Sequence, residues 1–138
     1  MYIVINDICI KYANCFFSNK TDFWFDKKRY EFYSCDSIKG LGFSASSETE
    51  LKEMLSEYNI IPSFCPNIVE FERKFINEYR NKKLSEYFSQ FKDEELYDRM
   101  FRIYTENNNI DYSKEEYEFY CKEAEEWCKI NRISFVER

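Results

Sequence analysis

Two rhythms of apolar and polar residues run along this chain, and the switch between them divides it. Between Ser113 and Asn131 the residues Tyr117, Tyr120, Cys121, Ala124, Trp127 and Cys128 recur at helical spacing, while Glu115, Glu118, Lys122, Glu125, Glu126 and Lys129 fill the other faces. Ser113 and Glu116 have the spacing of a capping box, so an amphipathic helix is predicted there with its aromatic and cysteine stripe buried. The same reasoning predicts a helix over 48–58, with Ser47 and Glu50 at its start and Leu51, Met54, Leu55 and Tyr58 on its apolar face. Asn67 and Glu70 introduce another, carrying Ile68, Phe71, Phe75, Ile76 and Tyr79. Leu84, Tyr87, Phe88 and Phe91 follow Asn81, and Leu96, Met100, Phe101, Ile103 and Tyr104 follow Asp93, which adds two more helices.

The second rhythm belongs to the N-terminal part. Residues 22–34, DFWFDKKRYEFYS, place two aromatic-rich segments around Asp26, Lys27, Lys28 and Arg29, the pattern of an antiparallel hairpin without an Asn-Gly turn. Tyr2 to Ile5 has strand character, but Ile8, Cys9, Tyr12, Ala13 and Phe16 fit a helical stripe after a cap at Asn6 or Asp7, and a short helix is expected. Residues 35–46 hold both glycines, Gly40 and Gly42, and are expected to form a loop, with a short strand near Leu41 and Phe43. In IIPSFCP, residues 60–66, Pro62 and Pro66 impose an extended backbone. NNNID at 107–111 is a loop, and Arg132 to Val136 closes as a short strand. The expected fold is therefore α+β and mostly helical, with five or six helices and a small antiparallel β-sheet from the N-terminal half. One domain is expected over 1–138, made of a helix and hairpin half (1–59), a proline-bounded joint (60–66) and a helical half (67–138).

Composition adds an aromatic core: fourteen Phe, twelve Tyr and two Trp stand against two Gly and two Pro in 138 residues. The net charge of −6 is spread evenly, since residues 1–66, 67–112 and 113–138 each carry two more acids than bases. No basic stripe is present, so direct nucleic-acid binding is not expected. The N-terminal MYIVINDICIKY lacks a basic leader, and Asp7 interrupts its apolar stretch. No window approaches a membrane-spanning length. A cytoplasmic protein with reduced thiols is the expectation.

Candidate chemistry is sparse. The chain has no His, which removes the commonest general base and transition-metal ligand. Cys9, Cys15, Cys35, Cys65, Cys121 and Cys128 contain no CxxC pair and read as small buried hydrophobes. Two glycines make neither nucleotide-binding fingerprint. Asp93, Glu94, Glu95 and Asp98 cluster at one helix start, and Glu70, Glu72 and Glu78 line the preceding helix. Such carboxylates could meet as an acid and base pair or hold a divalent ion, although acids at helix N-termini are also what the helix dipole favours. Lys27, Lys28 and Arg29 read as a solvated hairpin turn rather than a base-stacking platform. No catalytic, cofactor-binding or metal residue is assigned on these grounds, and no cofactor is expected.

IIP at 60–62, EFERKFINEY at 70–79, KLSEYF at 83–88 and EEYEFYCKEAEEWCKINRI at 115–133 together resemble uncharacterised protein family 0158, small bacterial proteins of unassigned function. The resemblance covers the C-terminal half, with looser agreement in the hairpin at Asp22 to Ser34. It departs at QFKDEELYDRMF, residues 90–101, where the family usually carries a glycine. It implies no activity and no site residues. The expected function is a non-catalytic protein-interaction or regulatory module that engages a protein partner or a second copy of itself and no membrane. The alternatives are an acidic inhibitor that mimics nucleic acid and a carboxylate-dependent metal hydrolase.

Overall fold

A computed structural model describes residues 1–79 and 81–138 and has the α+β, mostly helical architecture expected. In chain order the elements are β1 (Ile3–Val4), α1 (Ile5–Ile8), β2 (Phe23–Asp26), β3 (Glu31–Ser34), α2 (Cys35–Gly40), α3 (Glu48–Ser56), β4 (Ile60–Pro62), α4 (Ile68–Glu78), α5 (Lys82–Ser89), α6 (Glu94–Asn107), α7 (Ser113–Ile130) and β5 (Phe135–Val136). They form two compact units, one of residues 1–66 and 120–138, the other of residues 67–119. Among the described residues no helix is long and apolar enough to cross a membrane.

In the first unit, a three-stranded antiparallel sheet has the order β3-β2-β4. Trp24 pairs with Tyr33 and Pro62, and Phe25 with Phe32 and Ile61. Successive strand side chains point to opposite faces, so the neighbours Trp24 and Phe25, both fully buried, serve two different cores. Phe25 joins Ile5, Ile8, Cys9, Phe64, Ala124, Cys128 and Ile133. Trp24 joins Ile38, Leu55 and Ile60. This two-sided burial explains the uninterrupted FWF run. A parallel pair, Ile3 with Phe135 and Val4 with Val136, brings the two ends of the chain together.

Local side-chain bonds fix the hairpin. Asp26 Oδ1 accepts from the backbone N–H groups of Lys28 (2.9 Å) and Arg29 (3.0 Å), and Oδ2 accepts from the Tyr33 hydroxyl (3.1 Å). An aspartate turn thus does the work of Asn-Gly. Asn14 clasps the sheet from outside it: its Oδ1 accepts from Asp22 N and Phe23 N at 2.9 Å, and its Nδ2 donates to Phe23 O and Ser63 O at 3.1 Å. Asn14→Ala strands four buried or half-buried backbone groups, and urea denaturation should register a loss of about 2 kcal/mol or more. A loss within error of zero would mean that water replaces the clasp.

Three expectations fail locally. The N-terminal helix is a single turn beginning at Ile5, because Val4 is committed to the β1–β5 pair and neither Asn6 nor Asp7 caps it. Residues 35–40 are helical rather than a loop, since Ser34 Oγ accepts from Ser37 N (3.2 Å) and starts α2; no strand forms at Leu41 or Phe43, and Gly42 takes φ +92° just beyond the helix. This extra element brings the count to seven helices among the described residues. At α7 the capping box does not form: Ser113 donates its hydroxyl to Asp111 Oδ1 (2.6 Å), and the Glu116 N–H bonds Tyr112 O (2.9 Å). Ser47, Asn67, Asn81 and Asp93 do cap α3, α4, α5 and α6.

The second unit packs rings among α4, α5, α6 and the residues of α7 up to Phe119. Phe71, Phe75, Phe101, Tyr112 and Phe119 form one ring cluster, and Phe88, Phe91, Tyr97 and Tyr104 another. Several residues placed on the apolar stripes by spacing are instead exposed, namely Tyr58, Tyr79, Tyr87, Leu96, Ile103 and Tyr117. They lie at the stripe edges.

Candidate functional site

Two places gather polar groups beside apolar walls, one in each unit. In the second unit Glu72 occupies an apolar slot: Ile68 and Ile76, four residues before and after it on α4, are buried, and Glu72 itself is only 2% exposed. Its neighbours include Asp98 and Arg102 of α6 and Glu116 of α7. Burial first, then hydrogen bonding to Asp98 and the negative charge of Asp98, push the Glu72 carboxyl from its ordinary 4.5 up to about 10, so it is a neutral acid at pH 7. Glu72 Oε1 has no hydrogen-bond partner among the described residues. Arg102 Nε lies 3.1 and 3.2 Å from the two Asp98 oxygens. The Glu116 carboxyl is also pushed up, mainly by burial, and burial raises Tyr97 to about 12 against the opposing charge of Arg73, whose guanidinium lies 5.1 Å from its ring.

Of the acids singled out by spacing, the structure unites Glu72 and Asp98 and leaves the rest apart. Asp93 caps α6 by accepting from Leu96 N (2.9 Å), Glu94 and Glu95 are exposed in its first turn, Glu70 is exposed in the first turn of α4, and Glu78 faces solvent 4.0 Å from Lys74. The signal that marks Glu72 in the sequence is its position on an otherwise apolar stripe. Chemically, the arrangement holds a proton between two carboxyls with an arginine on the outer one. Among the described residues no three His, Cys, Asp or Glu side chains converge as a metal ion would require.

The first unit contains a cavity of about 600 Å³ between the sheet and α2 and α3. Trp24, Ile38, Phe43 and Leu51 supply its apolar wall, and Thr21, Lys20, Lys39 and Glu48 add polar groups. Glu48 is already engaged, its Oε2 accepting from Thr21 N at 3.3 Å. The segment from Ser44 to Ser47 passes along the cavity into the capped start of α3, where Ser46 Oγ bonds the Glu50 carboxylate. Trp24 is fully buried, and its Nε1–H has no partner among the described residues. An indole N–H left without an acceptor in the interior is costly and uncommon. Sequence reasoning missed this site because nothing in residues 35–46 marks them as a wall. The one legible sign was the unbroken FWF triplet, which calls for cover on both faces.

Lys27, Lys28 and Arg29 form the hairpin turn as expected. The cysteines depart from the expectation of uniform burial: Cys9 and Cys128 are buried, Cys35 and Cys121 are half-buried, and Cys15 and Cys65 are exposed. No family model, curated protein or solved structure matches this chain.

Proposed function

We propose that this protein is a non-catalytic regulatory module that acts by binding a small molecule in the Trp24 cavity. The observation that carries this reading is a ligand-sized space walled by Trp24, Ile38, Phe43 and Leu51 with two lysines at its edge. An apolar wall with few polar groups selects a compact amphipathic molecule. Lys20 and Lys39 at the edge favour a negative charge. A small carboxylate with an aliphatic or aromatic body meets both demands.

The protein works in the cytoplasm in this reading and passes its state to a protein partner or to a second copy of itself. The exposed Tyr58, Tyr79, Tyr87 and Tyr117 support that step, tyrosine being a residue interfaces favour. The test uses Trp24 as its own reporter. The chain has two tryptophans, so Trp127→Phe leaves Trp24 as the single indole. Titrating this variant with a panel of aliphatic and aromatic carboxylates should shift the Trp24 emission saturably and raise the melting temperature. Ala45→Phe places a ring in the cavity from an exposed position and should abolish both responses. Emission that stays constant across the panel, or binding that Ala45→Phe leaves intact, would remove the proposal.

A further inference from the structure

The cysteines divide by surroundings, and one pair stands apart. Cys128 is buried in the sheet-side core, where burial and then the charge of Glu125 push its thiol up to about 12, leaving it unreactive. Cys65 is exposed, and burial of its thiol together with the charge of Cys15 raises it as well. Cys121 differs. It sits half-exposed on α7, its Sγ lies 3.1 Å from Cys9 Sγ, and its S–H also faces Asn6 Oδ1 at 3.7 Å. Both members belong to the first unit. Cys9 follows α1 and is fully buried, so an oxidant from solvent meets Cys121 first and finds Cys9 already in place behind it.

We propose that Cys9 and Cys121 form a redox modification site, at which a hydroperoxide oxidises the half-exposed Cys121 and buried Cys9 then resolves it to an intramolecular disulfide. In the first step the Cys121 sulfur attacks one peroxide oxygen, the O–O bond breaks, and the products are a sulfenic acid and one water (or alcohol). In the second, Cys9 sulfur attacks the sulfenic sulfur, the S–O bond breaks, and the hydroxyl leaves with the Cys9 proton as water. Two thiols are oxidised by two electrons and the peroxide is reduced by the same two. A disulfide needs a sulfur separation of about 2.05 Å, so the pair has only about 1 Å to close. The bond would span 112 residues of sequence and tie the segment after α1 to α7. Oxidation therefore adds a covalent tie to an N-terminal segment that the β1–β5 pair already holds in the reduced protein.

The experiment is peptide mapping of the full reduced chain after exposure to stoichiometric hydrogen peroxide under native conditions. A linked Cys9–Cys121 peptide lighter by two hydrogens, faster non-reducing migration and a higher urea midpoint are expected, all reversed by dithiothreitol. Cys121→Ser, at a half-exposed position that leaves the core intact, should abolish the link. Cys9→Ala should leave Cys121 as a sulfenic acid that dimedone traps. Recovery of Cys9 fully alkylatable with Cys121 carried to sulfinic acid, or of Cys15 linked to Cys65 in place of this pair, would overturn the assignment.

Discussion

Glu72→Gln should abolish most of the pH dependence of unfolding, because among the described residues Glu72 is the group whose proton affinity shifts furthest on folding. Its carboxyl titrates near 4.5 when exposed and at about 10 in the fold. Between those values the folded chain holds a proton that the unfolded chain has released, so the protein loses stability as pH rises through that window. With one proton at stake the slope approaches about 1.4 kcal/mol per pH unit, and the loss is complete only above the folded value. Below the unfolded value both states are protonated and the contribution is fully present. Burial is the largest cause of the shift; Asp98 on α6 and Glu116 on α7 add to it, and Arg102 on α6 opposes it. Glutamine keeps the shape and the neutral charge, and its amide can donate to Asp98 as the protonated acid does. Urea denaturation at about pH 5, 7 and 9 should show a steep decline for the parent chain and a nearly flat response for Glu72→Gln, with the variant the more stable of the two at the highest pH. Parallel decline of both proteins would show that Glu72 ionises normally inside the fold.

What could be read from the sequence tracks the range of the interactions involved. Helices α3 to α6 were legible, α3 and α4 with their caps at Ser47 and Asn67, because a Ser or Asn reaching the N–H three residues on is a local event; Asn81 and Asp93, read only as the starts of α5 and α6, cap those helices in the same way. The hairpin was legible for a similar reason, since its turn is closed by Asp26 acting on Lys28 and Arg29. Residues 1–8 were not, because the strand at Ile3–Val4 exists only through Phe135 and Val136 at the other end of the chain, and it displaces the helix that local spacing favours. Helix α2 was missed when two glycines were weighed as breakers. Gly40 is instead the last residue of the helix and Gly42 takes the left-handed turn after it.

The candidate sites follow the same rule. A carboxylate on an apolar stripe could have flagged Glu72, yet its partners on α6 and α7 are set by packing. The Trp24 cavity is bounded by strand, two helices and a connecting segment, so no short motif encodes it. The Cys9–Cys121 pair is separated by 112 residues and is invisible to any spacing rule.

Trp127 connects α7 to the sheet, and its removal should be one of the costly truncations in the first unit. The indole is half-buried rather than fully enclosed, but it packs edge-on to Phe25 (5.5 Å between centroids), near-parallel to Phe32 (6.1 Å) and tilted against Phe64 (5.6 Å). Its Nε1–H donates to Pro62 O at 3.1 Å, which bonds α7 directly to β4. Trp127→Ala deletes the ring contacts and leaves that carbonyl short of a donor, at a cost of about 3 to 5 kcal/mol, with partial exposure favouring the lower end. Trp127→Phe keeps a ring between the three phenylalanines and loses chiefly the hydrogen bond, so about 1 to 2 kcal/mol is expected. The gap between the two variants separates ring packing from hydrogen bonding in the same denaturation experiment. If Trp127→Ala costs less than about 1 kcal/mol, the ring cluster contributes little, and α7 is held to this core chiefly by Ala124, Cys128 and their neighbours Tyr120 and Cys121.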